Sequence, residues 1–365
     1  MICSLLGGSN SVLMNSIQKA LSENFTVNNY ALGATSCIQN TVEIVKNKNS
    51  IIQSDFIISE SNVNDIMSFV SLKLSKEKIT FQINEYYRLL ANFNLPVFIY
   101  ILPTHRKQES IEDILFINNI HMENCLRYNF PFVNLDNEIN RLSLESLNLL
   151  MPHPRHFNEA YLYQMTLKLS DYIKNYYDNF KVRIFNYFNG PEYFFLSAKN
   201  FNLDDYVVKK KNSLYSLDLL IVEHENLKIK KEFLGWNILA VNTWCDDYSS
   251  VEISSIEGNY KVIKSFKNLY TSIELVDTIE VYNDTIIKLN KENIPPTEPT
   301  LLVKYNESVT PELLKIEGFL LMNNFCNPQY PPYNINDLNL LDITSQVYVN
   351  WDPYIAASRT LIQLN

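Results

Sequence analysis

The strongest constraint on this chain is an alternation in its first half, where short apolar runs take turns with segments of helical period. Ile2–Leu6 is an apolar run that ends in Gly7-Gly8. Ser11–Asn24 then carries Val12, Leu13, Ile17, Ala20 and Leu21 on one side, as a helix would. Residues 25–32 read as a strand closed by Gly33, residues 35–48 as a helix, 55–59 as a buried strand, and about 66–93 as a helical region. Residues 96–102 (PVFIYIL) form the most apolar strand, 110–128 a helix, 131–135 a strand and 160–177 a helix. Strands separated by helices pair in parallel, because a parallel neighbour needs a crossover, and the crossover helices cover the sheet's faces. The expectation is an α/β domain over residues 1–178: a three-layer parallel sheet flanked by helices.

Beyond about residue 180 the pattern becomes β-rich. Residues 182–188, 217–223, 236–241, 260–266, 272–275 and 278–282 are short runs rich in β-branched and aromatic residues. Residues 179–365 are therefore expected to form a β-rich C-terminal domain, with a sandwich as its form and room for a helical insertion. Residues 293–299 (NIPPTEP) interrupt it, and the tail from about Asn327 is irregular. Trp236, Trp244 and Trp351 all lie in this half. They serve either a sandwich core or contact with sugar rings.

Composition narrows the function classes. The 365 residues are 46% hydrophobic, which excludes a disordered chain, and the net charge of -9 argues against a general nucleic-acid binder. No apolar stretch reaches the roughly 18 to 20 residues of a membrane span. The N-terminus lacks the basic and long apolar regions of a secretory signal. Cys3, Cys37, Cys125, Cys245 and Cys326 are widely spaced, with no CxxC, and read as free buried thiols. A cytoplasmic location fits them.

Four polar or glycine-bearing turns follow strands of the first half, where open α/β sheets bind ligands. Leu6-Gly7-Gly8-Ser9-Asn10-Ser11 follows the first strand. Ser9 there is either a nucleophile on a strand-to-helix turn or, like Ser11, a helix cap. Gly33, after the second strand, either presents its N–H to an oxyanion or serves a plain turn. Ser59–Asp65 follows the third strand, and its asparagines either donate to an oxyanion or belong to a capping loop. Met151–Asn158 precedes the last helix and holds His153 and His156, read as a general base, solvent-facing loop residues or a metal pair; no nearby carboxylate or cysteine completes a metal shell. Leu102–Lys107 follows the most apolar strand, and His105, Arg106 and Lys107 either hold an anion, such as an anionic sugar or CoA phosphates, or form a solvated loop.

The order Ser, Gly, Asn, His, each after a strand, resembles that of the SGNH (GDSL-like) hydrolase and acyltransferase family. Gly7-Gly8-Ser9 looks like the family's Gly-Asp-Ser block, Gly33 sits where its oxyanion glycine sits, and Val63-Asn64-Asp65 looks like its Gly-x-Asn-Asp block. His156, before the last helix, resembles the His of the Asp-x-x-His block. Three of the seven glycines lie in the first two blocks. The chain departs from the pattern at Gly8, at Asn62 and at His153, which stands where the family has the Asp that orients the histidine.

The resemblance implies a serine enzyme with Ser9 as nucleophile, His156 as base, and Gly33 and Asn64 as oxyanion donors. His153, Asp65, His105 and Arg106 are the orienting or substrate-binding candidates, and no metal is expected. Within this family the chain resembles bacterial polysaccharide O-acetyltransferases. That implies acetyl-CoA as donor, a capsule or surface polysaccharide as acceptor, and an accessory domain suited to binding glycan. An esterase on the same fold, or a glycan-binding protein with a decayed site, are the other readings.

Overall fold

The computed structural model describes residues 1–105, 109–139, 142–151, 153–177, 189–201, 203–223, 226–267, 270–323 and 328–364. Of these, 1–70, 75–177 and 329–364 form one unit, and 71–74 with 189–323 and 328 form a second.

In the first unit, β1 (Ile2–Gly7), β2 (Thr26–Asn29), β3 (Phe56–Glu60), β4 (Val97–Ile101) and β5 (Phe132–Asn134) make a parallel sheet in the order β2-β1-β3-β4-β5. Ten helices connect and follow these strands: α1 (Ser9–Val12), α2 (Ile17–Ser22), α3 (Cys37–Lys46), α4 (Lys48–Ile51), α5 (Asn62–Leu72), α6 (Lys76–Ala91), α7 (Ile111–Tyr128), α8 (Leu135–Ile139), α9 (Leu144–Leu150) and α10 (Glu159–Tyr176). Strand side chains alternate between faces. Cys3, Leu5, Phe56, Ile58, Phe98 and Tyr100 pack with Ile17 and Leu21 of α2 and with Leu162, Met165 and Leu169 of α10. The opposite face carries α3, α6 and α7, with Ser59 Oγ bonded to Tyr86 Oη of α6 at 2.7 Å. The expected three-layer α/β architecture is present.

Two helical regions divide where the backbone requires it. The expected helix over 66–93 is two, because Lys73 adopts a left-handed φ of 55° and Ser75 caps α6 by accepting from Lys78 N at 3.1 Å. The expected helix over 11–24 is also two, since Leu13 leaves helical geometry with ψ 124°.

The second unit is antiparallel. Its strands are β6 (Tyr193–Ser197), β7 (Val207–Lys211), β8 (Ser216–Val222), β9 (Leu227–Lys228), β10 (Asn237–Trp244), β11 (Ser249–Ser255), β12 (Tyr260–Phe266), β13 (Tyr270–Glu280), β14 (Ile286–Leu289) and β15 (Leu314–Met322). One sheet runs β13-β10-β15-β8-β7, with β6 also on β15, and the other runs β12-β11-β14-β9. Val241, Ile273 and Phe319 of the first sheet and Ile253, Phe266 and Ile287 of the second share one core, which makes this a sandwich. The two short runs expected at 272–275 and 278–282 are a single strand, β13, whose pairing shifts register opposite Ile238 and Ala240 of β10. The strand expected at 182–188 lies outside the described residues.

The C-terminal tail corrects the expected division of the chain. Residues 329–364 belong with the first unit and hold α11 (Leu338–Leu341), α12 (Thr344–Val347) and α13 (Asp352–Leu364). Trp351 stacks on Tyr161 of α10, with ring centroids 4.6 Å apart, so it serves the α/β core. No local pattern announces this, because the apolar surface that captures the tail is presented by α10, far away in sequence. Trp244 is also buried and donates to Asp246 at 3.0 Å, and Trp236 packs on the sandwich core.

Candidate active site

Strand order reverses at β1, whose neighbours are β2 and β3. The chain leaves β1 toward one side of the sheet and β3 toward the other, and the crevice between such diverging turns is where an α/β sheet binds ligands. Ser9 lies just past the end of β1 and Asn64 just past the end of β3.

The Ser9 turn depends on close approaches. A Cβ on Gly7 would stand 2.3 Å from Ser11 Oγ, and a Cβ on Gly8 would stand 2.4 Å from Asn64 Nδ2. A side chain at position 8 would fit only if the Asn64 amide moved. A Cβ on Gly33 would lie 3.6 Å from Ser9 Cβ, so the second turn meets the first. The left-handed residue there is Ala34, with φ 58°, not Gly33. Gly33 thus borders Ser9, and Asn64 borders the adjacent Gly8.

Asn64 is buried and donates from Nδ2 to the carbonyl of Thr35 at 2.8 Å. A primary amide has two N–H donors, and this bond takes one of them. Helix α1 is a single turn, too short to bring a helix dipole to bear here.

His156 is brought to this corner by Asn10. The buried Asn10 side chain donates to the Arg155 carbonyl at 3.2 Å and accepts from Phe157 N at 3.1 Å, gripping the backbone on both sides of His156. His105 N adds a bond to the Pro154 carbonyl at 2.9 Å. Ser9 and His156 are both half-buried, and among the described residues no hydrogen bond joins them. Burial, followed by the charges of His153 and Arg155, lowers the His156 pKa below its ordinary value. The imidazole is thereby kept neutral, as a general base must be.

The remaining candidates have other duties. His153 is exposed; its Nδ1 accepts from Arg155 N at 3.3 Å and its ring stacks on His156 with centroids 4.2 Å apart. It supports the imidazole by stacking rather than by a carboxylate-like bond. Asp65 is not an orienting partner of His156. Its buried carboxylate accepts from Cys37 N at 2.7 Å, Ser61 Oγ at 2.6 Å and His121 Nε2 at 3.1 Å. His105 is likewise turned inward, within 2.6 Å of Asn148 Oδ1, and does not present its ring to an anion. Arg106 and Lys107 lie outside the described residues. Asn62, the other departure, pairs with both backbone groups of Leu102, at 3.0 and 2.7 Å, and so ties α5 to the end of β4. Among the described residues no cluster of three or more His, Cys, Asp or Glu side chains could hold a metal ion.

Sequence reasoning missed Asn10, Glu60 and His121. Glu60 left one signal, a charged residue closing the apolar run FIIS. Asn10 and His121 left none, because their partners are remote in sequence. In the second unit, a polar cleft of about 220 Å³ on the four-stranded sheet is lined by Glu252, Lys261, Lys288 and Asn290 among others, with no aromatic residue among its described lining.

No protein-family model matches the chain, and no curated protein matches it. Solved structures do resemble it over about half its length. A lipase/acylhydrolase from Enterococcus faecalis is 15% identical, over 48% of this chain and 96% of its own, with a TM-score of 0.36. A catalytic mutant of an acetylxylan esterase from Geobacillus stearothermophilus is 10% identical, over 47% and 92%, with a TM-score of 0.36. The C-terminal catalytic domain of peptidoglycan O-acetyltransferase A from Streptococcus pneumoniae is 11% identical, over 48% and 94%, with a TM-score of 0.34.

Proposed function

We propose that this chain is a serine-dependent acyltransferase of the SGNH kind, in which Ser9 takes an acyl group from an ester or thioester and passes it to a hydroxyl. One observation carries the reading: Gly33 borders Ser9 and Asn64 borders Gly8, while Asn10 grips the backbone on both sides of His156. The Asn64 amide lies where a side chain at position 8 would stand.

In this mechanism Ser9 Oγ attacks the acyl carbonyl as its proton passes to the His156 imidazole. The oxyanion is held by the Ser9 and Gly33 N–H groups and by the second N–H of Asn64. Collapse breaks the bond to the leaving group, which departs with the proton from His156. The acceptor hydroxyl then repeats the sequence on acyl-Ser9. The finer reading takes acetyl-CoA as donor and a hydroxyl of a bacterial capsule or surface polysaccharide as acceptor. It rests on the resemblance of the four blocks, and a cytoplasmic location agrees with that donor. With water as acceptor the same residues would give an esterase.

The test is acetyl-CoA turnover with and without bacterial polysaccharide, for the wild type and Ser9→Ala. Glycan-dependent thiol release should fall by about a thousandfold or more in Ser9→Ala. Release that ignores both glycan and substitution would overturn the mechanism. Hydrolysis of an aryl acetate by the wild type, without glycan-dependent CoA release, would select the esterase.

A further inference from the structure

Glu60 closes β3 directly beneath the Ser9 turn and is fully buried. Its Oε2 accepts from Gly8 N at 3.2 Å and from Ser11 Oγ at 3.3 Å, and its main-chain carbonyl accepts from the same Gly8 N at 2.9 Å. Glu60 thus holds the residues on both sides of Ser9. Among the described residues no group bonds its second oxygen, Oε1, which is buried. A buried carboxylate left so incompletely bonded is costly, whereas the neutral acid carries no charge to solvate.

We propose that Glu60 is a positioning residue for Ser9 that works in its neutral form, and that its ionisation disables the nucleophile turn. The proposal rests on the reading of Ser9 as nucleophile. The charge that develops during acyl transfer is negative and lies beside Ser9 and Asn64. An ionised Glu60 would set a second negative charge next to it in a low-dielectric corner.

The groups around Glu60 do not neutralise it. Asp65 on α5 adds to the negative charge and is itself paired with His121 of α7. Tyr86 on α6 and Tyr100 on β4 are held protonated by burial. Arg155, on the His156 loop, is paired with Glu109. Burial outweighs the bonds from Gly8 and Ser11 and pushes the Glu60 carboxyl up to about 7. The change of form therefore falls near neutrality.

The experiment follows labelling of Ser9 by a small fluorophosphonate between about pH 5.5 and 9, which reads the nucleophile without a natural substrate. The Ser9 Oγ–phosphorus bond forms, fluoride leaves and the hydroxyl proton goes to His156. The wild-type rate should rise as His156 loses its proton, then fall about tenfold above neutral pH as Glu60 ionises. Glu60→Gln keeps the shape of the side chain and should lose the fall while retaining the rise. Ser11→Ala removes a bond that favours the ionised form and should move the fall to higher pH. A purely structural Glu60 would alter amplitude and leave the profile's shape alone.

A fall that persists in Glu60→Gln, or a wild-type rate that never falls, overturns the proposal. If Glu60→Gln does not fold, an unmoved fall in Ser11→Ala overturns it. Folded wild type that is never labelled at Ser9 overturns the nucleophile reading itself, and this proposal with it.

Discussion

Two carboxylates stand five residues apart, Glu60 at the end of β3 and Asp65 on α5, and their surroundings differ sharply. Asp65 is surrounded by donors: Cys37 N, Ser61 Oγ and His121 Nε2 all reach it. Glu60 has weak bonds at one oxygen and, among the described residues, none at the other. Both are fully buried, so burial alone does not separate them. The difference lies in satisfaction. A carboxylate with donors on both oxygens fastens α3, α5 and α7 to one another, and removing it breaks structure. A carboxylate short of donors is held in a state that pH can change, and it stands where the reacting serine is presented.

The largest effect should come from the satisfied side. Asp65→Ala leaves the Cys37 N–H, the Ser61 hydroxyl and the His121 ring without their acceptor. Urea unfolding should show a loss of about 4 kcal/mol, the scale of a broken buried pair. A loss under about 1 kcal/mol would mean the donors find water or other partners, and the contrast would collapse.

On the unsatisfied side the effect should depend on pH and have the opposite sign. The folded-state pKa of Glu60 is raised from 4.5 to about 7. Any stability linked to its protonation is therefore fully present below about pH 4.5 and is lost as pH rises through about 7. Glu60→Gln should remove that loss. Relative to wild type it should gain on the order of 3 kcal/mol between acid and mildly alkaline pH, read from unfolding midpoints across the range. Parallel pH curves for the two proteins would place the Glu60 pKa near its ordinary value.

A smaller change should separate catalysis from stability. Asn10→Ala frees the backbone on either side of His156 without touching the reacting groups. The turnover number should drop by about a hundredfold, the scale expected when a catalytic group drifts by about 1 Å, with KM moving much less. Unchanged turnover would show that the His105 bond to Pro154 holds the loop unaided.

The β-rich half was legible as a class because β-branched and aromatic runs leave a local mark. Its β13 looked like two strands because the run is crossed by Val276 and Asp277, while the pairing with β10 absorbs the irregularity as a register shift. The tail was illegible for a different reason. Trp351 and Val347 are apolar residues in an otherwise irregular stretch, and only the surface of α10 gives them somewhere to be buried.

For the site, the sequence by itself determined which residue types end each strand. Ser9, Gly33, Asn64 and His156 stand out because glycine and polar residues interrupt strongly apolar or periodic segments, and that is a local property. The tertiary structure alone decided which of them meet and what surrounds them. It set Asn64 in the space left by Gly8, turned His105 and Asp65 inward to other partners, and made Asn10 the clamp of the His156 loop. It also left one oxygen of Glu60 without a donor among the described residues. Each of these depends on contacts between residues tens to more than a hundred positions apart. Hydrogen bonding and desolvation act through distance in space, and local sequence pattern carries no record of it.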